Sequence, residues 1–194
     1  MKQKIQWEIK ADACILGAAL VLLLPLRWWL AAGAAAAFHE ACHGLAVRAF
    51  GGSIRKITIR ASGIAMESDP LMPGQALACS LAGPVGELFL LLFARTFPRL
   101  AVCALLQAAL NLLPVFPLDG GRALRNFLLL LLPEKAAEAA FRVVNMGTTG
   151  VLLLLAMAGF VRLQAKLLPL IALLFVFRSL WAKRTCKEGF QRLQ

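Results

Sequence analysis

The sequence predicts an all-α polytopic membrane protein of about six transmembrane helices, with one short β-hairpin at the membrane surface. Three observations lead there. Hydrophobic residues make up 60% of the 194 positions, against roughly 45–50% in soluble globular domains. A chain this short has too little interior to hide that surplus, so lipid must solvate it. The apolar residues come in long runs, and the basic residues lie between the runs.

In chain order, the first apolar run covers about 13–26, after a basic start with Lys2, Lys4 and Lys10. The second runs from Trp28 to about Ala49. Within it Ala31-Ala32-Gly33-Ala34 resembles a signal-peptidase site, but cleavage there would halve the span. From Gly51 to Asp69 the pattern changes. Residues 53–67 read as two short strands, with Ile57 and Ile59 alternating with polar neighbours. This segment is too charged to cross lipid. A third span covers about 75–94 and a fourth about 100–115. The mixed stretch 120–132 carries Arg122, Arg125 and Asn126, and reads as an interfacial helix or a continuation of the fourth span. Two more spans follow at about 143–161 and 167–182. The first run is shorter than the ~20 residues a crossing helix usually needs.

Six spans place sixteen of the 21 Lys and Arg on one side, leaving Arg27, Arg95, Arg99, Arg162 and Lys166 on the other. Positive loops stay in the cytoplasm, so both termini and the hairpin are expected there. The expectation is an integral, multi-pass protein of a bacterial inner or forespore membrane. It forms a single domain over 1–194 with no attached soluble regulatory domain. The net charge of +11 follows from these flanking residues and does not signal nucleic-acid binding. Cys14, Cys42, Cys79, Cys103 and Cys186 are odd in number and unpatterned, which argues against a disulfide framework.

The chain has only two histidines, and they occur as His39-Glu40-Ala41-Cys42-His43. Positions i and i+4 share a helix face, so both imidazoles can reach one metal ion. Glu40 between them can take a proton from an attacking water and return it to a leaving amine. The motif lies in an apolar span, where each ionisable residue costs about 2.5–3.5 kcal/mol near the helix centre. Two histidines satisfied by interhelical hydrogen bonds would explain neither Glu40 nor the spacing.

A catalytic zinc needs three protein ligands and an open position. With no further histidine, the intramembrane carboxylates are Glu87 and Asp119. Asp119 follows Asn111-Leu-Leu-Pro114-Val-Phe-Pro117-Leu118 and precedes Gly120-Gly121. The prolines remove helix donors and the glycines relax the backbone, so the helix breaks and Asp119 can turn inward. An ordinary Pro/Gly turn is the plainer reading of the same residues.

These residues resemble the site-2 protease family of intramembrane zinc metalloproteases. That family combines H-E-x-x-H in one span with N-x-x-P-x-x-P-x-D-G in a later one. Here the first is His39, Glu40 and His43, and the second is Asn111, Pro114, Pro117, Asp119 and Gly120. Leu81-Ala82-Gly83-Pro84 resembles the family's A-G-P segment. The resemblance covers roughly 38–122. It implies one zinc per chain on His39, His43 and Asp119, Glu40 as general base, and Asn111 on the substrate backbone or oxyanion. Pro114, Pro117 and Gly120 would shape the supporting backbone. Where the family usually has Asn after A-G-P, this chain has Glu87, read as a supporting residue.

The compact form is most similar to the sporulation branch, which processes a membrane-tethered pro-sigma factor. The expected partners are such a substrate, the bilayer, and a membrane regulatory or inhibitory protein. Two rival functions are a catalytically silent relative that binds membrane partners and an ion-handling transporter. Intact Glu40 and Asp119 speak against the first, and the near absence of ionisable residues in the later spans speaks against the second.

Overall fold

The computed structural model describes residues 6–11, 13–14, 25–60 and 63–163. The chain divides into two compact units, Met1–Leu112 and Leu113–Gln194.

The first unit contains strand β1 (Gln6–Ile9), helix α1 (Leu26–Ala49), strands β2 (Ile54–Arg60) and β3 (Gly63–Ser68), helix α2 (Pro73–Phe89) with a 3-10 turn Leu90–Phe93, and helix α3 (Pro98–Asn111). Its three helices pack on one another. Small residues permit this: Ala35 of α1 and Ala104 of α3 are fully buried with Leu90, and Phe38, Leu100 and Cys103 close the cluster. The Gln107 amide of α3 donates to the Ala32 carbonyl of α1 at 3.2 Å.

Helix α1 stops where the sequence allows it to stop. Gly51 takes φ +78, and its N–H bonds to the Arg48 carbonyl while that of Gly52 bonds to Val47. A left-handed glycine just past the last turn is the usual way to satisfy the final carbonyls. At the start of α2, Pro73 supplies a preset φ, and the Gln75 side chain accepts the Met72 N–H.

The expected hairpin is present as β2 and β3, paired antiparallel with Ile57 opposite Met66. The sheet is larger than the sequence suggested, because β1 adds in parallel to the other edge of β2, Trp7 opposite Ile57. Thr58, not Ile57 or Ile59, is the most buried residue of β2. Ile54 and Met66 lie against Gly44 of α1, so the sheet is seated on the helix that carries both histidines.

The second unit holds the loop from Leu113, helix α4 (Asp119–Leu131) and helix α5 (Glu134–Leu163), which pack together. The stretch 120–132 is thus a helix of its own, not a continuation of the fourth span. Arg125 of α4 pairs with Glu138 of α5, with Nε at 2.8 Å from the carboxylate.

Two helical segments among the described residues are long and apolar enough to cross a membrane, Pro73–Phe93 and Glu134–Leu155. The first coincides closely with the expected third span, and the second overlaps the expected fifth but begins about nine residues earlier. The expected fourth span is a 14-residue helix, about 21 Å at 1.5 Å per residue, against a hydrocarbon core of ~30 Å. Most of the first expected span and all of the sixth lie outside the described residues.

Candidate functional site

In the first unit, His39 and His43 lie one helical turn apart on α1, and their Nε2 atoms are 3.0 Å from each other. Each ring is held from behind by α2. His43 Nδ1 donates to the Cys79 carbonyl at 2.7 Å. His39 Nδ1 stands 2.9 Å from a carboxylate oxygen of Glu87, in contact but without hydrogen-bond alignment. His39 is 5% exposed and Glu87 fully buried. Glu40 is half-buried.

Helix α2 comes this close because it is bare on that side. A Cβ on Gly83 would run into Nε2 of His43 and stand 2.7 Å from Cε1 and Nε2 of His39. A Cβ on Gly86 would collide with the Cys42 sulfur. Cys79, Gly83 and Glu87 are spaced by four, so they line one stripe of α2. That stripe offers a carbonyl, a gap and a carboxylate to the two rings.

The His43 tautomer follows from its partner. A carbonyl can only accept, so His43 carries its proton on Nδ1 and turns the Nε2 lone pair toward His39. The Nδ1 of His39 faces the Glu87 carboxylate, and its Nε2 lies within hydrogen-bond distance of that lone pair. Two imidazole Nε2 atoms converging at 3.0 Å from one helix face are placed to share a cation. Neutral imidazole nitrogens with their second nitrogen tied to a carbonyl and a carboxylate are the usual zinc-ligating arrangement. The donor set fits a zinc ion.

In the second unit, Asp119 is the first residue of α4 and half-buried. An acidic residue in the first turn is favoured by the helix dipole. The preceding loop is tightly fixed. Val115 is fully buried, the Phe116 N–H donates to Asn145 Oδ1 of α5 at 2.7 Å, and the Phe116–Pro117 bond is cis. A Cβ on Gly121 would stand 2.5 Å from the Val115 carbonyl carbon, so the α4 start lies directly on the loop backbone. Pro114 and Pro117 belong to this loop, and Gly120 is buried in the first turn. Asn111 is the last residue of α3, in the first unit, and half-buried.

Sequence reasoning singled out His39, Glu40, His43 and Asp119 as candidates and gave Glu87 only a supporting role. It missed Cys79 and Asn145 altogether. Cys79 acts through its backbone, which no residue type announces. Asn145, an amide inside an apolar run, was the one available signal.

The fold is similar to that of a solved structure described as a Site-2 Protease from Methanocaldococcus jannaschii. The TM-score is 0.67 at 20% sequence identity, over 92% of this chain and 90% of that one. At that identity the likeness establishes the fold. No family model matches the sequence, and no curated protein matches it.

Proposed function

We propose that the chain is an intramembrane zinc metalloendopeptidase that cleaves a membrane-anchored protein near the cytoplasmic face. The observation that carries this reading is the histidine pair, whose Nε2 atoms converge while His43 Nδ1 is hydrogen-bonded to the Cys79 carbonyl and His39 Nδ1 faces the Glu87 carboxylate. Asp119, at the start of α4, is the third ligand that the sequence pattern supplies. Likeness of fold to a site-2 protease supports the same reading.

In this scheme His39, His43 and Asp119 bind the zinc, and Glu40 is the general base. When bound, zinc supplies Lewis acidity. The Glu40 carboxylate accepts a proton from the attacking water and passes it to the leaving amine. Asn111 orients the substrate backbone or its developing oxyanion. Pro114, Pro117 and Gly120 hold the bend that presents Asp119. A helical substrate must unwind before its carbonyl can be attacked, and an edge of the β1–β2–β3 sheet could take it as an added strand. A pro-sigma factor tethered to the membrane is the first substrate to try, as the sporulation-type resemblance suggests, and a membrane inhibitor protein would regulate access.

The test is co-expression with a membrane-tethered pro-sigma reporter, wild type against Glu40→Gln, with zinc measured in both purified proteins. The expected result is cleavage by wild type and a loss of roughly 10²–10⁴-fold in Glu40→Gln, the usual worth of a general base, with zinc retained. Equal cleavage by both would contradict the mechanism.

A further inference from the structure

We propose that Glu87 is a positioning residue of the metal centre: its carboxylate takes the Nδ1–H of His39 and so fixes Nε2 of that ring as the ligand atom. The proposal rests on the zinc reading above and adds a residue at which this sequence departs from the family pattern.

Glu87 is the only charged residue between Gln75 and Phe93, and it is fully buried. Its charged-group partner among the described residues is His39. Neither carboxylate oxygen has an aligned hydrogen-bond partner there, although one stands 2.9 Å from His39 Nδ1. A buried carboxylate in an apolar helix needs a partner that can carry positive charge. An imidazole that ligates a dication is such a partner, because the metal polarises the ring and strengthens its N–H as a donor.

The approach is built for this contact. Bare Gly83 and Gly86 let the α2 backbone press on α1 at His39, Cys42 and His43, which brings the neighbouring Glu87 within reach of His39. The two rings are held unequally as a result. His43 donates to a neutral carbonyl and His39 faces an anionic group, so the His39 side of the centre is the more strongly donating one.

The chain contains two histidines, so a full-length protein labelled with [15N]histidine and purified through a histidine-free tag shows two imidazoles. With zinc bound, both rings should carry the proton on Nδ1, and the His39 Nδ1–H should lie further downfield. Glu87→Gln should move the His39 signal and leave His43 in place. Zinc affinity by chelator competition should fall about 10–100-fold in Glu87→Gln, the usual effect of removing such a partner. Glu87→Asp, which keeps the charge, should lie between.

A packing role alone would alter thermal stability without shifting the His39 resonance. Unchanged His39 signals and zinc affinity in Glu87→Gln would overturn the proposal while leaving the zinc site standing. Wild type without zinc would sink both. Should Glu87→Gln fail to fold, the wild-type spectrum decides, and an unprotonated Nδ1 on His39 refutes the assignment.

Discussion

The chain uses carboxylates in two contrasting settings, one buried among helices and one on the exposed sheet. Glu87 sits fully buried against His39. Glu8 of β1 lies at the surface between Lys10 and Lys56, with Lys56 Nζ at 2.7 Å. Asp69, just past β3, accepts from the Ser53 N–H and hydroxyl and from Arg55. Both settings look alike as ion pairs. Only the buried one is costly to leave unpaired, since water and salt screen the others. The difference separates a carboxylate whose burial demands a partner from those that trim a strand edge.

That contrast is broken most severely at Gly83. Gly83→Ala drives a methyl into both imidazoles. Zinc binding should fall by 100-fold or more on the scale of lost ligand support, read by metal content of the purified variant. Retained zinc at wild-type affinity would show that α2 does not constrain the histidines.

Gly121→Ala probes the Asp119 loop in the same way, where the added carbon would meet the Val115 and Phe116 backbone. Overpacking of this kind costs about 1–3 kcal/mol, expected as a lower unfolding temperature in detergent. No change in that temperature would mean the loop can move aside.

Smaller again is Arg125→Ala, which removes the half-exposed pair with Glu138. Its cost should stay within about 0.2–1 kcal/mol and shrink in high salt. A larger, salt-insensitive loss would place that pair in the interior class.

The slightest effect belongs to Glu8 and Asp69. Hydrogen bonds from Lys10 and then Lys56 hold the Glu8 carboxyl down to about 2, and Ser53 and then Arg55 lower that of Asp69. A depressed carboxyl favours the folded form above its ordinary range and loses that contribution as pH falls. For Glu8 the window runs from its ordinary 4.5 down to about 2. Amide protection in β1 and β2, taken relative to the intrinsic exchange rate at each pH, should fall across it, and protection that stays level would show that the pairs contribute nothing to the sheet.

The candidate metal ligands stand out in the sequence because such chemistry imposes spacing along the chain: i and i+4 on a helix, and a Pro/Gly break before a carboxylate. Their supports were not, since they come from remote positions. Glu87 lies 48 residues beyond His39 and Asn145 lies 29 beyond Phe116, so no local pattern links them. The hairpin announced itself through alternation, but four-residue β1 is too short to carry a period, and its pairing with β2 depends on the fold. The buried Thr58 shows the same limit, because the sheet's inner face is set by where α1 lies and not by which residues are most apolar.

The central claim is that His39, His43 and Asp119 hold one zinc. Metal analysis of the full chain, purified without a histidine tag, tests it most directly when wild type is compared with His43→Ala and Asp119→Ala. One zinc per chain in wild type, lost or sharply weakened in both variants, is the predicted result. A wild type without zinc, or zinc that survives both substitutions, would contradict the account.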